Sequence, residues 1–183
     1  GKLTVIKSSG DMAAYLAKRA TAKGITAGFL GVEGAQVLEG KLENVDVMFQ
    51  AGIRMMSPAH FFDSDIGGSA HGMAKGGLTP LGREVLKRME LLGMVVDLAH
   101  ASSQTIDDAL SIATRPVVVS HTGVRGTCDN QRNLSDDQLR RIAANGGLIG
   151  VGYWETAVCG RDTAAIVRAI RHAVMVAGVE HIA

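Results

Sequence analysis

Five side chains in this sequence combine a reactive type with a suggestive position: Glu33, His60, His100, His121 and Arg132. Two of them end β-branched runs, "MVVDLAH" closing on His100 and "PVVVSH" on His121. A buried parallel strand reads as a short apolar run, so a titratable residue at its last position needs a reason. Imidazole and carboxylate together are ligand chemistry for zinc and related divalent ions. A carboxylate can also span two ions about 3.5–4 Å apart, which makes Glu33 the bridging candidate. Gly31 and Gly34 flank it and permit close backbone approach. Taken singly, a histidine at a strand end reads as structural and Glu33 as a solvated loop acid or a ligand equally; the two histidines in adjacent units, with Glu33, favour a metal. Arg132 offers the planar fork that pairs with a carboxylate, although on its own it reads as an ordinary surface cation near Asp129 and Asp136. Asp97, three residues before His100, reads either as an acid that orients a ligand or as a structural hydrogen-bond partner.

The elements that must position these residues alternate. Strand-like runs occupy 3–7, 26–32, 53–57, 94–98, 117–120 and 148–153, and a seventh starts near His181. Helical stretches separate most of them: 11–23 with Gly24 as its stop, 44–51, 80–92 between Thr79 and Gly93, 105–113 capped by Ser102 or Ser103, one opening at the capping-box spacing of Ser135–Gln138, and 164–177. Such alternation implies βαβ units and a parallel sheet. Its commonest large solution is the (β/α)8 TIM-type barrel, in which the C-terminal ends of strands line the active site. His100 and His121 then stand on adjacent strands about 4.8 Å apart, close enough to share a metal. His60 precedes "FFDSDIGGSAHGMAKGG", and a loop beyond about 12–15 residues is more often a lid or binding loop than a spacer. His71 receives no role, His172 reads as lying on a solvated helix face, and His181 falls at the lower rim.

The bulk numbers exclude several classes. With 183 residues, 46% hydrophobic and 20% charged, the chain fits one globular domain. Its 19 basic and 18 acidic residues leave no field to recruit nucleic acid. No apolar stretch reaches the roughly 18 residues of a transmembrane segment. Both ends read as cut, Gly1 running straight into a strand and "VEHIA" opening one, so residues 1–183 are expected to be a single partial domain, truncated at both ends, and its compartment is left open.

"GVEGAQ", "GIRMMSPAH", "GGLTPLGREVLKRMELLGMVVDLAHAS", "PVVVSHTGV" and "CDNQRNLSDDQLRRIAANGG" together resemble the membrane (renal-type) dipeptidases, zinc peptidases among the amidohydrolase-like barrels. The resemblance implies an incomplete (β/α)8 barrel lacking the first strand and most of the last. It implies hydrolysis of dipeptides, including those with a C-terminal D residue, by a hydroxide shared between two zinc ions (Zn2+). Carried over by residue, Glu33 is the bridging carboxylate and His100 and His121 are ligands of one zinc. His60 contacts substrate and steadies the oxyanion, and Arg132 reads the substrate carboxylate. A homodimer is plausible on the same ground.

Two elements of that pattern are absent. No His-x-Asp occurs in the 183 residues, and the acid/base aspartate would follow Ala183. The expectation is an active full-length parent and an inactive segment. The alternatives are an amidohydrolase-type barrel acting on a lactone, lactam or other amide, and a non-catalytic remnant that binds peptide. Cys128 and Cys159 lie on loops after consecutive strands, and exported members of the resembled family bridge matching positions. They are expected near each other, with Cα atoms within about 8 Å, but unbonded.

Overall fold

A computed structural model describes residues 3–183. Seven short strands alternate with helices: β1 (Leu3–Val5), α1 (Ser9–Arg19), β2 (Thr26–Gly28), β3 (Leu30–Val32), α2 (Asn44–Ala51), β4 (Ile53–Met56), α3 (Pro80–Leu92), β5 (Val95–Val96), α4 (Ser103–Ile112), β6 (Val118–Thr122), α5 (Asp136–Ala144), β7 (Leu148–Val151), α6 (Glu155–Val158) and α7 (Thr163–Ala177). Every ladder is parallel: β1 with β2, β3 with β4, β4 with β5, and β6 with β7. A parallel bridge from Asp97 to Val118 joins β5 to β6, and another from Ile149 to Ile182 extends the series beyond β7. Neighbours in space are thus neighbours in sequence, with no reversal of strand order. All the strands deliver their C-terminal ends to one side.

The helices begin and end where their caps dictate. Thr79 accepts the Gly82 N–H, Pro80 opens α3, and Gly93 closes it in the left-handed region at φ 75°. Ser102 accepts from Thr105 at the start of α4, and Ser135 and Gln138 form a reciprocal capping box on α5. The inward faces of these helices carry the core: Val85, Leu86 and Met89 from α3, Ile106 and Ala109 from α4, Leu139 and Ile142 from α5. On α7 the buried residues are Ala165, Ala169 and Ala173, a four-residue spacing of small side chains that lets α5 approach closely.

Several boundaries differ from the sequence expectation. The run 26–32 is two strands, because β2 pairs with β1 whereas β3 pairs with β4, with a register shift after Leu30. The expected strand 94–98 shortens to β5, since the Asp97 carboxylate turns back onto the Ala99 N–H. β6 runs to Thr122, two residues past its expected end, so His121 belongs to the strand itself. The strand expected to start near His181 is a single parallel bridge at Ile182, after a 3-10 turn over Val179–His181, and His181 Nδ1 donates to Gly147 O at the lower rim. α1 stops at Arg19, before Gly24. His172 departs from its expected place on a solvated face: Nε2 lies 2.7 Å from Asp136 Oδ1 in the first turn of α5, so helix packing covers the ring.

Candidate metal and substrate site

Glu33 follows β3, His60 follows β4, His100 follows β5, and His121 lies near the end of β6. Their side chains converge. Glu33 Oε1 lies 3.0 Å from His100 Nε2 and 3.3 Å from His121 Nε2, and the two Nε2 atoms are 2.9 Å apart. One donor atom from each of Glu33, His100 and His121 falls within 4.8 Å of the others, a set that can hold a metal ion. His60 Nε2 stands 3.6 Å from the other oxygen of Glu33, and its ring meets that of His100 edge-on at 4.5 Å.

The donor set fits a divalent ion by chemistry as well as by position. A ligating imidazole must be neutral. Burial, then the nearby Arg132, His121, His60 and His71, push the His100 pKa down to about 3. Burial and Arg132 also lower that of His121 against the opposing pull of Glu33 and Asp97. His100 is 7% exposed and sits in the left-handed region at φ 63°, a conformation uncommon for a non-glycine residue, of the kind that clusters at functional sites. At His121, Ser120 Oγ lies 3.0 Å from Nδ1 and donates to Asp97 Oδ2 at 2.6 Å. Asp97 is itself buried and accepts two further N–H groups, from Ala99 and Ser120. This relay assigns the His121 proton to Nδ1 and leaves the Nε2 lone pair facing Glu33 and His100.

Arg132 turns inward instead of pairing with Asp129 or Asp136. Its guanidinium donates to His121 O at 2.9 Å and to Thr122 Oγ1 at 3.4 Å, and burial brings its pKa down to about 10 against the pull of Asp97 and Glu33. The remaining N–H donors of its fork are free for a ligand. With the triad it lines a cavity of about 580 Å³.

That cavity is also lined by Phe61, His71, Asn130, Gln131, Trp154 and Thr156, to which the sequence reading attached no role. Trp154 and Thr156 follow the C-terminal end of β7, so the strand-end rule that located the histidines reaches them once non-titratable side chains are included.

Cys128 and Cys159 are near each other as expected, with Cα atoms 5.2 Å apart, but they form a disulfide, which corrects the expectation of unbonded sulfurs. The loops that carry them are tied side by side, Asn130 Nδ2 donating to Thr156 O at 2.8 Å and Asn133 Nδ2 to Ala157 O at 3.0 Å. That alignment brings the backbones within bridging range.

Residues 2–183 match the membrane dipeptidase family, peptidase family M19. The chain belongs to that family. Among its relatives is an uncharacterized dipeptidase of Schizosaccharomyces pombe, 34% identical over 162 residues, a match covering 84% of this chain and 39% of the yeast protein. The chain thus spans about two fifths of the length of the curated relatives it matches. An amidohydrolase from Pseudomonas aeruginosa superposes with a TM-score of 0.85 at 25% identity, covering 98% of this chain and 55% of that one. A metallopeptidase from Rhodobacter sphaeroides, solved with a phosphinate mimic of the dipeptide L-Ala-D-Ala, has a TM-score of 0.82 at 23% identity, with coverages of 98% and 54%. The α/β arrangement of this chain is therefore that of solved M19 structures over nearly its whole length.

Proposed function

We propose that this chain carries the substrate-reading half of a zinc-dependent dipeptidase site, within a (β/α)8 barrel that accepts dipeptides with a C-terminal D residue. The observation that carries the reading is the convergence of Glu33, His100 and His121 on one point of a cavity whose wall presents Arg132. The bound mimic of L-Ala-D-Ala in the Rhodobacter relative supports the substrate class.

Glu33, His100 and His121 would hold zinc, two ions in the proposed site, and the bound metal would supply Lewis acidity and a water of lowered pKa. Arg132 binds the terminal carboxylate of the substrate with its free donors, and a short peptide then reaches the triad with its carbonyl. His60, beside the outer oxygen of Glu33, donates to the oxygen on which charge develops as the carbonyl is attacked. Asp97 and Ser120 keep the His121 proton on Nδ1 throughout. Three protein donors do not complete a two-zinc set. Activity is therefore expected only of the intact protein with every ligand and an acid/base group present.

The deciding experiment measures zinc content and hydrolysis of L-Ala-D-Ala, L-Ala-L-Ala and a small lactone by the intact protein. About two zinc per chain with dipeptide turnover is the expected result. Lactone turnover without any dipeptide turnover would overturn the substrate assignment, and full activity after exhaustive chelation would overturn the metal.

A further inference from the structure

The Gly-rich loop after His60 holds two rings over the cavity for which the reading above has no task, Phe61 and His71. Its course is closely determined. The Asp63 carboxylate accepts the Ser69 N–H at 2.8 Å and the Ala74 N–H at 2.9 Å. The Ser69 hydroxyl donates to His60 O and accepts the His71 N–H at 3.0 Å, while the Ala70 N–H donates to His100 O at 2.8 Å. A Cβ on Gly72 would lie 1.9 Å from Asp63 Oδ1, so only glycine lets the carboxylate sit against that turn. The backbone on both sides of His71 is thus pinned, yet the His71 ring makes no hydrogen bond among the described residues, and Phe61 remains 51% exposed. A braced loop that presents open rings to a cavity has the form of a binding wall.

The rings also have an order. Phe61 and His71 lie 5.3 and 5.2 Å from His100, His100 lies 4.9 Å from His121, and His121 lies 5.7 Å from Trp154. The Arg132 guanidinium stands 5.9 Å from the Trp154 ring. The ring contacts run from Phe61 and His71 through His100 and His121 to Trp154, and the Arg132 guanidinium meets this row at Trp154 and at the His121 carbonyl. A dipeptide with its carboxylate on Arg132 and its carbonyl at the triad directs its N-terminal residue toward Phe61 and His71.

Resting on the function proposed above, we infer that Phe61 and His71 form the subsite for the N-terminal side chain and select apolar or aromatic groups there over glycine. Phe61 and the His71 ring form the wall at this end, and they offer an apolar side chain contact area that glycine cannot use. One methylene more or less in an apolar pocket is worth about 10–200-fold in discrimination.

The test compares kcat/KM of the intact, metal-loaded protein on Xaa-Ala and Ala-Xaa dipeptides, with Xaa as Gly, Leu, Phe, Lys or Glu. Leu-Ala and Phe-Ala should exceed Gly-Ala by at least about tenfold. Phe61→Ala and His71→Ala should shrink that ratio, mainly through KM, and leave the ranking of the Ala-Xaa series unchanged. Phe61→Leu should retain most of the preference, which separates a lost wall from a damaged fold. A Leu-Ala to Gly-Ala ratio unchanged in Phe61→Ala, or a change confined to the Ala-Xaa series, overturns the subsite while the peptidase reading stands. No turnover of any dipeptide by the unaltered protein overturns the function and the subsite together.

Discussion

At His121 the relay from Asp97 through Ser120 fixes one ring nitrogen and leaves the other facing Glu33 and His100. His121→Ala in the intact protein should lower both bound zinc and activity while the fold survives, because the ring is only partly buried. Undiminished zinc by atomic absorption would remove His121 from the ligand set. Arg132→Lys keeps the charge but loses the planar fork. It should raise KM for free dipeptides by about tenfold or more, the worth of roughly one charge-assisted hydrogen bond, and affect C-terminally amidated dipeptides much less. Equal losses on both would make the arginine structural. The neutral state of His100 has a stability consequence in metal-free protein. Its folded pKa lies below the unfolded value, so the folded state binds fewer protons; the contribution is complete above about pH 6.5 and falls as acid approaches the folded value of about 3. Urea midpoints of metal-free His100→Gln should depend less steeply on pH across that window than those of the unaltered protein.

Phe61 and His71 of the cavity wall come from a loop with little regular structure of its own. Backbone N–H groups, led by that of Ser69, hold the Asp63 pKa below its ordinary value against the opposing cost of burial. Its stabilising contribution is therefore present above the unfolded carboxylate value near 3.9 and lost as pH falls through the lower folded value. Asp63→Asn turns one acceptor oxygen into an amide facing either the Ser69 or the Ala74 N–H, and should cost about 1–2 kcal/mol. Hydrogen exchange should show the residues around Ser69–Ala74 exchanging faster, with α3 and α4 unaffected. If exchange rises equally everywhere, Asp63 supports the whole fold and not the loop. Pro80 and the Thr79 cap restart regular structure immediately after this loop, which is why it can be irregular without loosening α3.

For the whole molecule, the Cys128–Cys159 bridge closes a loop of 31 residues that contains Arg132 and Trp154. Restricting the unfolded chain over that length is worth about 3–4 kcal/mol in the chain-entropy account. Cys128→Ala with Cys159→Ala should lower the unfolding free energy by about that amount, and reductant should destabilise the unaltered protein but leave the double variant unmoved. Identical denaturation curves with and without reductant would show that the sulfurs are not bridged in solution.

Much of this arrangement is legible along the chain. The alternating period of strands and helices, the caps at Thr79, Ser102 and Ser135, and the histidines ending two β-branched runs are local signals, set by backbone sterics and by orphan N–H groups that nearby side chains must satisfy. They mark Glu33, His60, His100 and His121 as strand-end residues. Other features depend on contacts between segments far apart in sequence. The split of 26–32 into two strands arises because its halves pair with different partners, and His172 is covered only because α5 packs beside α7. Arg132 reads as a surface cation until the fold turns it toward His121 O. The bond between Cys128 and Cys159 and the placement of Phe61 and His71 on the cavity wall belong to tertiary structure for the same reason: proximity across dozens of residues is decided by packing, not by spacing along the chain.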